Sequence, residues 1–178
     1  MKTAIAFALL LATAPAAAQG APQPQPRGTA ADISREVLDS TVKSTAGSAV
    51  SDQAVRMVDV GTYDVGVGIV HRSPTGPQGA IEHSRITEVY HMIEGAGVLV
   101  TGGTIAEGKP VPPESPIVTV LNGPSIRGAF IEGGVSRRLK AGDVVIIPPN
   151  TPHYWSSLEG KIVYLVVRVD PDKVVRKR

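Results

Sequence analysis

The stretch "AGDVVIIPPNTPHYWSS", residues 141–157, decides how the rest of the chain reads. Gly142 and Asp143 form a tight turn, and Val144 to Ile147 is an apolar run of strand length. Pro148, Pro149 and Asn150 break that run, and Asn150 tolerates the left-handed backbone such a turn needs. Pro152 restricts both itself and Thr151, so His153 enters the next strand at a fixed angle. Side chains alternate along a strand, which puts His153, Trp155 and Ser157 on one face.

Upstream, "HSRITEVYHMIEG", residues 83–95, holds two of the four histidines of the chain. The same alternation places His83 with Arg85. Glu88, Tyr90 and Met92 share one face of the following strand, and Val89, His91 and Ile93 share the other. His91 therefore points away from Glu88 and is expected to be structural, under an N-terminal helix or at a subunit contact. His71 closes "DVGVGIVHR" before a turn and reads as a partly exposed strand end.

Period-two runs extend from Ala54 onward: "AVRMVDV", "YDVGVGIVHR", "AIEHSR", "VLVTGG", "PIVTVL", "VVIIPP" and "KIVYLVVRV". Glycine and proline punctuate them, as expected of an all-β barrel or sandwich. Ahead of them, Ile33, Val37, Leu38 and Val42 recur at helical spacing. That predicts a short helix on the outside of the main domain, capped by Asp32 or Thr29. Residues 107–124 exceed an ordinary hairpin loop and read as a lid over the barrel mouth or as an inter-strand insertion.

The chain of 178 residues opens with Lys2, a short apolar run, Pro15 and the small residues Ala16, Ala17 and Ala18. This is expected to be a signal peptide over residues 1–18, which makes the protein periplasmic or secreted with no membrane anchor. Proline- and glutamine-rich residues 19–28 read as a flexible tether, and 29–50 as the N-terminal helical segment. Residues 51–170 form the barrel and 171–178 a basic tail, with one core throughout. With no cysteine, neither disulfides nor thiolate chemistry is available. A net charge of +2, few aromatics and no basic stripe argue against a nucleic-acid partner.

Two separate motifs resemble those of the cupin superfamily. Gly142, Pro148 and His153 stand at the spacings of the second cupin motif; Asn150 replaces its glycine and Ser157 its asparagine. For the first motif, Glu88 and Gly95 match, and His83 fits the second histidine. Ile81 occupies the first histidine position, which removes one of the usual four protein ligands. The resemblance covers roughly residues 55–169 and implies a cupin-type antiparallel β-barrel, or jelly roll, with a short N-terminal helix.

It also implies that His83, Glu88 and His153 meet near one barrel mouth, where two imidazoles and a carboxylate suit Fe, Mn, Ni or Zn. Arg85, Tyr90, Met92 and Trp155 are expected to line the cavity. Glu82, beside the vacant position, points away by alternation. A homodimer and a small-molecule ligand or substrate are the partners implied. One expectation is a metal-dependent enzyme of oxygenase, isomerase or decarboxylase type. The other is a metal-free cupin that binds or senses a small molecule. A scaffold-only interaction module is a third. Fold alone does not choose among them.

Overall fold

A computed structural model describes residues 28–176. The expected signal peptide, nearly all of the tether and the last two residues of the tail lie outside the described residues. Helix α1 (Arg35–Ser44) comes first. Ser34 caps it, accepting from the Val37 N–H, in place of the expected Asp32 or Thr29. No residue of α1 is buried, and it lies against the first two strands.

The strands follow in order: β1 (Val50–Asp59), β2 (Asp64–Arg72), β3 (Ala80–His83), β4 (Thr87–Glu94), β5 (Ala96–Thr101), β6 (Thr104–Ile105) and β7 (Lys109–Pro110). After a π-helix at Ile117–Asn122 come β8 (Ser125–Gly128), β9 (Ile131–Glu132), β10 (Val135–Lys140), β11 (Val144–Ile147), β12 (His153–Leu158) and β13 (Ile162–Asp170). Every pairing is antiparallel.

One sheet has the order β1-β2-β13-β4-β11 and the other β10-β5-β12-β3-β8-β7; β6 and β9 pair apart. The chain crosses from sheet to sheet at β2–β3, β3–β4, β4–β5, β10–β11, β11–β12 and β12–β13. Each sheet therefore buries one face against the other, and the fold is a cupin-type jelly roll with a short N-terminal helix. Tyr90, Met92, Tyr164 and Val166 of the first sheet pack with Leu99, Leu139 and Trp155 of the second. Each such side chain contributes about 1.5–3 kcal/mol on burial. Among the described residues, no helix is long and apolar enough to cross a membrane.

"PIVTVL" departs from its strand-like reading. Pro116 is in the helical region, and the N–H groups of Val118 and Thr119 both reach the Ser115 carbonyl. The turn so started continues as the π-helix, without a ladder partner to hold β-branched residues extended. The tail is also tied down at its start. Asp170 accepts from the N–H groups of Val174 and Val175, and the Arg176 N–H reaches the Thr119 carbonyl of the π-helix.

The two histidines outside the motifs exchange their expected surroundings. His71 is buried, on the face of β2 opposite Val70, and its Nδ1 has no hydrogen-bond partner. Its exposure was expected from the turn that follows, but β2 is an interior strand of its sheet and α1 lies against it. His91 is exposed on the outer face of β4, away from α1, which lies against β1 and β2.

Candidate metal centre

His83 ends β3 and His153 begins β12, two neighbouring strands of one sheet. Glu88 lies on β4 of the facing sheet, between Ile147 of β11 and Arg168 of β13. The turn through Asn150, with φ 58°, sends its N–H to the His83 carbonyl at 2.8 Å. That bond ties the two histidine-bearing segments together. The structure thus brings His83, Glu88 and His153 into one buried cluster, with one ligand atom from each within 4.8 Å of the others.

Within it, Glu88 Oε2 is 3.5 Å from His83 Nε2 and 3.4 Å from His153 Nε2. The hydrogen positions follow from the partners. Ser125 donates its hydroxyl hydrogen to the Gly123 carbonyl at 2.8 Å, so its oxygen accepts from His83 Nδ1 at 2.9 Å. His153 Nδ1 faces the Thr151 carbonyl at 2.9 Å, and a carbonyl only accepts. In its neutral form each ring therefore carries its hydrogen on Nδ1 and aims a bare Nε2 lone pair at Glu88. Three acceptor atoms converge with no hydrogen of their own between them. Removing the Ser125 hydroxyl frees the His83 ring: Ser125→Ala is expected to weaken divalent-ion binding about 10–100-fold, read by competitive titration. An affinity unchanged within about twofold would show that this bond does not aim Nε2.

The charges around the cluster are fixed by burial and by Arg168. Burial lowers the His83 pKa and favours its neutral imidazole. The same burial works to raise Glu88, but the charge His83 carries when protonated and that of Arg168 hold its carboxyl well below the usual carboxylate range. Tyr90 donates to Glu88 Oε2 at 2.7 Å. Its own burial, reinforced by the Glu88 charge, raises the phenol well above its ordinary value and keeps it a donor. Arg168 donates through Nε to Glu88 Oε1 at 2.8 Å.

Of the four side chains expected on the cavity wall, Tyr90 reaches the cluster. Its ring centroid is 6.2 Å from that of His153. Met92 and Trp155 are packed into the core around Leu99 and Tyr164. Arg85 is elsewhere: it is exposed and pairs with Asp172 at 2.8 Å. β3 ends at His83 and residues 84 and 85 form a bend, so strand alternation does not carry across them. Ile81 faces His153 across the β3–β12 ladder.

Sequence reading missed Arg168, Asp52 and Ser125. Arg168 had a signal, being an arginine in phase with Tyr164 and Val166 in a strand that is apolar up to that point. Ser125 had none, because only the β3–β8 register puts it opposite His83.

No family model and no curated protein matches the chain. Among solved structures it is similar to KdgF from Halomonas sp., at 14% identity and TM-score 0.45, over 69% of this chain and 82% of that one. A cupin-like protein from Thermotoga maritima is similar at 16% identity and TM-score 0.44, over 71% of this chain and 72% of that one. The DMSP lyase DddQ from Ruegeria pomeroyi has 14% identity and TM-score 0.45, over 87% of this chain and 59% of that one. Likenesses at this level assign neither substrate nor activity to the chain.

Proposed function

We propose that the protein is a periplasmic or secreted cupin that holds a divalent metal ion on His83, Glu88 and His153 and acts on a small organic molecule. The convergence of three acceptor atoms carries this reading. Two Nε2 lone pairs and a carboxylate oxygen, each placed by contacts elsewhere, repel one another unless a proton or a metal cation lies between them, and three such atoms suit a metal. Such a donor set fits Fe(II), Mn(II), Ni(II) or Zn(II). An ion with open positions supplies Lewis-acid activation of a bound oxygen donor. The chain's own part is to bind, orient and exclude water. Both rings are locked through Nδ1, Glu88 is held ionised, and Tyr90 stays a hydrogen-bond donor beside it. Exposed Val144 and Ile146 on the outer face of β11 support the homodimer that the resemblance implies.

A metal-free binding protein is the rival, and Ile81 in a ligand position favours it. Metal analysis separates them. Untagged protein isolated from the periplasm is expected to carry about one equivalent of divalent metal, and His153→Ala to carry almost none. Metal-free wild type that still captures a small molecule would favour the rival.

A further inference from the structure

Beside the ion site lies a buried cation, Arg168, that touches Glu88 and not the histidines. Arg168 lies on β13 with its side chain 8% exposed, and its guanidinium is divided between two carboxylates. Nη2 and Nη1 donate to Asp52 of β1 at 2.6 and 3.2 Å, while Nε donates to Glu88 Oε1 at 2.8 Å. The fork is planar and rigid, so anchoring both terminal nitrogens fixes the direction of the third donor.

The neighbouring strand makes room for this reach. Gly66 and Gly68 of β2 lie opposite Arg168 and Val166 in the ladder. A Cβ on Gly68 would stand 3.2 Å from Arg168 Nη1 and 2.9 Å from the Gln53 carbonyl. The absent side chains leave the guanidinium a slot across β2, from Glu88 to Asp52.

We propose that Arg168 is a positioning residue which, anchored on Asp52, holds Oε1 of Glu88 so that the carboxylate meets an ion through Oε2 alone. The proposal rests on the ion-binding reading above. Oε2 is the oxygen that faces both histidines, and Oε1 is turned to the guanidinium. A carboxylate free to swing takes up a second coordination position on the ion; one held by Arg168 leaves that position for water or a substrate.

The test is infrared difference spectroscopy on the protein with 13C-labelled glutamate, with and without Mn(II). One-oxygen binding gives a wide splitting between the two carboxylate stretches, and two-oxygen binding a narrow one. Wild type is expected to show the wide splitting. Arg168→Lys, which keeps the charge and loses the fork, is expected to narrow it and to weaken Mn(II) about 10-fold. Asp52→Asn is the milder second variant. It removes one acceptor oxygen and the charge of the anchor, leaves Arg168 in place, and alters a residue bordering a cavity of about 200 Å³. The splitting decides: a narrow one in wild type, or a wide one kept in both variants, overturns the assignment of Arg168. If wild type binds no divalent ion at all, the metal reading itself falls, a result distinct from any change in splitting.

Discussion

Arg168→Met is expected to lower folding stability by about 3–5 kcal/mol, because it leaves buried Glu88 and half-buried Asp52 without their shared counter-charge. Glu88 is 1% exposed and Asp52 22%, so water replaces little of what the guanidinium supplies to Glu88. Burial works against the charge of Arg168 itself, but Asp52 and Glu88 outweigh it and raise its pKa above the ordinary arginine value. The loss has a pH signature. Glu88 is held well below its ordinary value of 4.5 in the folded protein, so the unfolded chain binds more protons in that range. Its contribution is present above 4.5 and is lost as pH falls through the folded value. Without Arg168 the depression shrinks, and the gap between wild type and variant narrows on acidification. Urea titrations at several pH values measure this; a gap independent of pH would defeat the electrostatic account.

Gly95→Ala is expected to cost about 3 kcal/mol, although it adds a single methyl group. Gly95 has φ 79°, a backbone region that side chains resist, at the hinge where β4 of one sheet becomes β5 of the other. A Cβ there would land on the Lys161 carbonyl oxygen and stand 3.1 Å from the Ile162 Cα. Both are backbone atoms, and they cannot rotate aside. Gly61 supplies the control. It too has positive φ, at 101°, but nothing lies within 4 Å of where its Cβ would be. Gly61→Ala therefore reports backbone preference alone, about 1 kcal/mol. Equal losses in the two variants, read from chemical denaturation, would show that the crowding at Gly95 carries no weight.

The sequence makes the local parts of this molecule legible and hides those that depend on pairing. Alternation separates Glu88, Tyr90 and Met92 from Val89 and His91 because it is a property of one strand. Gly142, Pro148, Asn150 and Pro152 mark their turn because each restricts or tolerates a particular backbone at its own position. Arg168 and Glu88 are 80 residues apart, and their contact follows only from the pairing of β13 with β4. Arg85 is misplaced by the same limit seen from the other side, since a two-residue bend ends the alternation that would turn it inward. In "PIVTVL" the β-branched residues speak for a strand, but the fold offers them no partner, and a turn begun at Ser115 prevails.

The lock on the two imidazoles sets a condition on what the chain can become. Lone pairs turned toward one another are a point of local frustration in an otherwise self-consistent fold, since each contact that places them is satisfied elsewhere. A descendant that dispensed with a cation would relieve the conflict by gaining a donor at one vertex, and Glu88→Gln is the smallest such change. Its amide would face Nε2 in place of a carboxylate oxygen and its carbonyl would still accept from Arg168, with the Tyr90 hydroxyl, now a donor to Oε2, turned to accept. If the cluster holds an ion, the passage to an ion-free barrel would be one substitution long, and Glu88 is a vertex at which it could occur.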